Sequence, residues 1–168
     1  MIHRVLKMTL AVLAGMSSAV GSANDFQGVG TCPAGGALSV VATGPYKGRA
    51  FDLKKDGAFQ TKYSQIIGDP EHWSATLVGP TSENRRYVSG TGSYVVFNSC
   101  QIHNCKAAQM FGVMDERSGS IGVSVIENGK AQERGTLNDE GRKAISCARV
   151  LDEQAAKRAE DSLKRGKQ

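Results

Sequence analysis

The stretch Ile121-Gly-Val-Ser-Val-Ile-Glu-Asn-Gly-Lys130 decides the fold class. Ile121, Val123 and Val125 alternate with Gly122 and Ser124, the period-two pattern of a half-buried strand. Asn128-Gly129 then supplies two residues that tolerate positive φ, as a two-residue hairpin turn requires. The chain returns through Lys130 to Leu137. Upstream, Met110 to Met114 is a second apolar run, separated from the first by the turn sequence Glu116-Arg117-Ser118-Gly119. Before it, Tyr87-Val88 and Tyr94-Val95-Val96-Phe97 are β-branched and aromatic. Strands this close together pair with their sequence neighbours, so the expectation is an antiparallel meander of about four to five strands.

Helices flank this sheet. Phe59, Tyr63, Ile66 and Ile67 fall at i, i+4, i+7 and i+8, one apolar face of a helix over about 57–67. Asp56 can cap its first N–H groups, and Gly68 ends it before Asp69-Pro70. Trp73 and Leu77 follow in a connection, with Trp73 read as a core anchor in preference to a binding platform. Ala144 to Val150 fits either a closing strand or the start of a helix. Beyond Leu151, Ala155, Ala159 and Leu163 recur every four residues, which supports a charged helical tail over 152–168. A helix before the sheet and another after it make the class α+β.

The N-terminus reads as an export signal. Arg4 and Lys7 precede an apolar run from Met8 to Met16, and small residues lead to Ala23. A buried helix is the competing reading of 1–23, but the order of parts fits a signal better. No other stretch approaches the roughly 20 apolar residues that a membrane span needs. Residues 24–49 are rich in Gly and read as an N-terminal extension, leaving 50–151 as the main domain. The formal charge of +5 falls to +3 once Arg4 and Lys7 leave, and the charges are mixed in sign. No basic stripe with interleaved aromatics exists, which argues against a nucleic-acid partner.

Four cysteines, Cys32, Cys100, Cys105 and Cys147, follow the signal, and an even number in an exported chain reads as disulfides. Of three possible connectivities, local ring closure favours Cys100–Cys105, which leaves Cys32–Cys147. The alternative is a zinc site formed by cysteines and His103; its ligand spacing is poor and an oxidising compartment opposes it. No metal or other cofactor is therefore expected.

The segment with the most chemistry is Cys100-Gln101-Ile102-His103-Asn104-Cys105, which continues directly from a strand. A short loop closed by a disulfide has lost conformations before it binds, so less order remains to be imposed by a partner. A projection with a donor–acceptor ring near its tip suits insertion into a concave site. The plainer reading is that His103 merely decorates a tight turn. A catalytic Cys–His pair fits worse, because the thiols are oxidised and no third orienting residue is evident.

Tyr94 to Val113, with its Cys-x-x-His-x-Cys core, resembles the signature of the inhibitor of vertebrate lysozyme (Ivy) family. The upstream helix and Trp and the downstream hairpin agree with it, and the similarity covers roughly Ala50 to Val150. The best-known members carry Cys-Lys-Pro-His-Asp-Cys, so Ile102 stands where they have Pro and Asn104 where they have Asp. The resemblance implies that the loop enters a lysozyme cleft, that His103 hydrogen-bonds the catalytic carboxylates, and that Gln101, Ile102 and Asn104 form the contact surface. It implies a non-enzymatic inhibitor in the periplasm, or secreted, whose partner is a c-type lysozyme or related muramidase; a homodimer is a further candidate assembly. A second reading is an immunity or control protein acting on another peptidoglycan-cleaving enzyme, such as a lytic transglycosylase or a delivered muramidase. A metal-binding or redox module is the third.

Overall fold

A computed structural model describes residues 30–32, 35–41 and 43–165. The 1–23 signal reading lies outside them, as does Gly166 onward. The elements are β1 (Gly30–Thr31), β2 (Ala37–Val40), α1 (Ala50–Leu53), α2 (Gly57–Ile67), α3 (Trp73–Thr76), β3 (Arg85–Ser89), β4 (Gly92–Cys100), β5 (Ala108–Asp115), β6 (Ile121–Glu127), β7 (Lys130–Gly135) and α4 (Asp139–Arg165). All seven strands lie in one sheet in sequence order, and every neighbouring pair is antiparallel. The class is α+β, with more strands than the four to five expected.

The two additional strands come from the Gly-rich segment. Ala37–Val40 pairs with β3, placing Leu38 opposite Tyr87, and Leu38 is fully buried. What reads in sequence as an extension is therefore, from residue 30 on, part of the sheet. Its strands are short and separated by glycines, so they carry too few alternating residues to signal themselves.

Side-chain alternation divides the core into two layers. Val95, Phe97, Met110, Val123 and Val125 pack on one face with Phe59, Tyr63 and Ile67 of α2. Tyr94, Val96, Phe111 and Val113 pack on the other with Ala144, Ile145 and Ala148 of α4. Strands β4 and β5 are thus covered on both faces, which is why Tyr94-Val-Val-Phe97 is apolar without interruption. Opposite Phe97, Gly112 leaves room for the ring, because a Cβ there would collide with it.

Helix α2 begins and ends as its sequence indicates. Asp56 accepts hydrogen bonds from the Ala58 and Phe59 amides, each 2.9 Å, and Gly68 closes the helix at φ 77°. The segment left open at Ala144–Val150 is helical. Gly141, Ala144, Ile145 and Ala148 are buried at i, i+3, i+4 and i+7, a helix face. α4 continues unbroken past Asp152, so the tail is a continuation of the helix that packs on the sheet. Asp152 is itself tied to the sheet by Arg85 at 2.6 Å and by Asn98 at 2.9 Å, whereas every residue from Glu153 to Arg165 is exposed.

Cys32 is bonded to Cys147 with a Cα–Cα distance of 5.2 Å, joining the segment before β2 to α4. The link spans 115 residues of sequence, and closing so long a loop removes much unfolded-state entropy. Replacing Cys32 and Cys147 together by Ser should lower the unfolding free energy in urea by about 2–5 kcal/mol. Peptide mapping of that variant should still recover the second disulfide, whose strands are held independently.

Candidate functional site

Strands β4 and β5 end in the segment Gln101–Ala107, bridged at its base by Cys100–Cys105 with Cα atoms 4.8 Å apart. All four cysteines are oxidised, which removes the zinc alternative. Backbone bonds close the loop further. The Asn104 amide donates to the Gln101 carbonyl at 2.9 Å, and the Ala107 and Ala108 amides donate to the Asn104 carbonyl. The Gln101 amide donates to the Ala108 carbonyl at 3.1 Å, continuing the β4–β5 ladder by one rung.

Of the residues expected to make contact, the side chains divide into braces and free groups. Asn104 Nδ2 donates to Gln101 Oε1 at 2.7 Å, so these two brace the turn from its two ends. Gln109 Nε2 donates to the Cys105 carbonyl at 2.7 Å and holds the returning arm. Cys100 is buried and Cys105 half-buried. Ile102 and His103 occupy the tip and are exposed, Ile102 by 54%. Lys106, which the sequence reading missed although it adjoins Cys105, is exposed beside them. No Asp or Glu occurs between Arg85 and Met114, so the charged groups of this loop are basic.

His103 has φ 63° and is the third residue of the Gln101–Asn104 turn. A residue with a Cβ is uncommon at positive φ, and glycine or asparagine usually takes that turn position. Three non-glycine residues have positive φ among those described: Leu77, His103 and Asn128. All lie at one end of the sheet. Asn128 opens the β6–β7 hairpin, and its amide donates to the Ala107 carbonyl at 2.8 Å. Leu77 begins a strap, Leu77–Pro80, whose Pro80 carbonyl accepts from the Cys100 amide at 3.1 Å. Gly79 allows this approach, since a Cβ there would collide with the Cys100 carbonyl oxygen.

The strap hangs from α3, which is held at several points. The Tyr63 hydroxyl donates to the Ser74 carbonyl at 2.7 Å, and burial pushes its pKa far above the usual value, so it remains a donor. Lys54 Nζ donates to the Ala75 carbonyl at 3.3 Å. Trp73 packs against the core, as expected of an anchor, and its Nε1 donates to Glu127 Oε1 at 2.6 Å. His72 reaches the same carboxylate through Nε2 at 3.2 Å, while its Nδ1 lies 2.7 Å from Ser74 Oγ. Ser, His and Glu are the residue types of a hydrolytic triad, but Ser74 is completely buried. No substrate reaches that hydroxyl, and the chain of bonds works as a clasp between α3 and the end of β6.

Behind the disulfide, where α4 leaves the sheet, is a groove of about 360 Å³ with Cys100, Phe111, Arg149 and Glu153 on its walls. Arg149 lies over the Phe111 ring at 5.9 Å. The Asn98 side chain along the groove is already engaged by Thr81, Ser82 and Asp152. Among the described residues no group of three His, Cys, Asp or Glu could hold a metal ion, and no helix is long and apolar enough to cross a membrane.

No protein-family model, curated protein or solved structure matches the chain. The geometry stands alone, and it presents one exposed ring on a rigid, basic loop.

If His103 is held in the left-handed region by its surroundings, removing its Cβ relieves the strain. His103→Gly should therefore keep or raise stability, by up to about 1 kcal/mol in urea denaturation. A clear loss would mean that the ring packs on the loop and is not free to bind.

Proposed function

We propose that this protein is a non-enzymatic inhibitor that inserts the Cys100–Cys105 loop into the acidic cleft of a peptidoglycan-cleaving glycosidase, with a c-type lysozyme as the first candidate. One observation carries the reading: His103 sits at the tip of a loop closed by a disulfide and braced by Gln101 and Asn104, in a backbone conformation that histidine seldom adopts. Strained residues at exposed positions cluster where proteins bind or react. The chemistry of the tip agrees. A cleft of this kind holds two carboxyl groups in different protonation states, and a histidine ring can donate to one or both. The loop is already ordered, so binding forfeits little entropy.

Two disulfides fit an oxidising compartment, and the signal-like segment at 1–23 makes the periplasm the proposed location, with secretion as the alternative. The resemblance of the loop to the lysozyme-inhibitor signature supports the same reading. The basic balance of the chain favours a second target class as well. A positively charged inhibitor is not steered toward a basic lysozyme, so an acidic envelope enzyme such as a lytic transglycosylase, or a delivered muramidase, is the other candidate.

Calorimetric titration of hen lysozyme and of purified muramidases with the mature protein tests both. His103→Ala should weaken binding to the true target by about 2 kcal/mol or more, as expected for a buried hot spot, while the melting temperature stays within a degree or so. Equal affinity for wild type and variant would sink the proposed role of His103.

The pH dependence has a defined sign. A histidine that meets an ionised carboxylate on binding gains a partner for its cationic form, so protonation of the ring and binding favour each other. The added affinity is present while the ring is cationic and its carboxylate partner ionised, and it is lost as rising pH removes the ring's proton. The slope should be present in the wild type and absent in His103→Ala. Parallel profiles would assign the dependence to the enzyme alone.

A further inference from the structure

The strap Leu77–Pro80 is the other unusual part of this end of the molecule. Its first residue, Leu77, is fully buried yet left-handed at φ 56°, which turns the chain so that the next side chain points outward. That side chain is Val78, 56% exposed, the largest exposure of any large hydrophobic described apart from Leu163. One residue later Gly79 presses its backbone on Cys100, and then Pro80 accepts from the Cys100 amide. Val78 thus precedes the strap's contact with the loop base by one residue, and Ile102 follows that base by two. Two of the five exposed large hydrophobics are set beside the same point, on segments joined by the bond from the Cys100 amide to the Pro80 carbonyl. Nothing in the core requires Val78. The anchoring of α3 through Trp73, Ser74 and Ala75 keeps its backbone in place.

The geometry points to the strap as a second recognition element, with Val78 and Ile102 as apolar knobs that pack on the rim of the same protein cleft that receives His103. The inference rests on the proposed insertion of the loop. It adds the partner's surface chemistry: an acidic floor that meets the basic tip of His103 and Lys106, bordered by an apolar ledge. The charge pattern supports this occupant, since no carboxylate occurs on the loop or its two strands before Asp115 to oppose an acidic floor. An exposed Val or Ile side chain that leaves water on binding adds affinity roughly in proportion to the apolar area it buries.

Hydrogen exchange of the intact protein with and without saturating hen lysozyme, or whichever muramidase binds, reads the strap without mutation. Amides of the 77–84 segment should slow in the complex together with those of 101–107. In parallel, Val78→Asn should weaken binding about tenfold with an unchanged melting temperature, Val78→Ile should bind as the wild type does, and Val88→Asn, an exposed apolar position on β3, should change nothing. Protection confined to 101–107, with Val78→Asn within twofold of wild type, overturns the inference and leaves loop insertion standing. Absence of binding by the wild type to every muramidase overturns both.

Discussion

Strands β4 and β5 are buried on both faces, and the loop is nothing more than their continuation. Phe97 over Gly112 sits in the middle of this pair, between the Phe59 and Tyr63 rings on one side and the α4 layer on the other. A strand pair enclosed in this way cannot twist or shift register without disturbing two cores. Rigidity at Cys100 and Ala108 is inherited from that enclosure, and the disulfide extends it by a few residues. The strap, the hairpin at Asn128 and the clasp at Glu127 all attach to the same end. What the rest of the chain contributes is the immobility of a short exposed turn.

That arrangement explains where strain is tolerated. A left-handed histidine at the end of a loose loop would relax, since the surrounding bonds must outweigh the cost of holding it. Here the Gln101–Asn104 bonds fix the turn on both sides of His103, and the ring itself has no bonding partner among the described residues. The structure holds backbone and leaves the side chain free. A binding element uses such a division, whereas a turn with no side chain to present usually carries glycine or asparagine at that position.

Much of this was legible in the sequence wherever one residue type has one use. Asp56 and Gly68 marked the limits of α2, Asn128-Gly129 marked the hairpin, and the four residues between Cys100 and Cys105 left little choice of pairing. Where the sequence was silent, the physics is long-range. Leu38 is the one buried residue of β2, a four-residue strand in a Gly-rich stretch, and only its partner Tyr87 makes it a strand residue. Val78-Gly79-Pro80 belongs to the connection after α2, and no local pattern reveals that Gly79 will lie against Cys100. The ambiguity at Ala144–Val150 had a similar source: helix and strand both bury a small apolar run, and the i, i+3, i+4, i+7 face became decisive only once Gly141 was counted as part of it.

Occupancy of the cleft is the central claim, and competition measures it most directly. Hen lysozyme, or the muramidase that binds, would be titrated with the protein in the absence and presence of a saturating N-acetylglucosamine oligomer that fills the enzyme's sugar-binding cleft. Insertion of the loop predicts mutual exclusion, with the apparent dissociation constant rising in proportion to oligomer concentration. An affinity unchanged by the oligomer, with both ligands bound at once, would place the protein elsewhere on the enzyme and contradict the account.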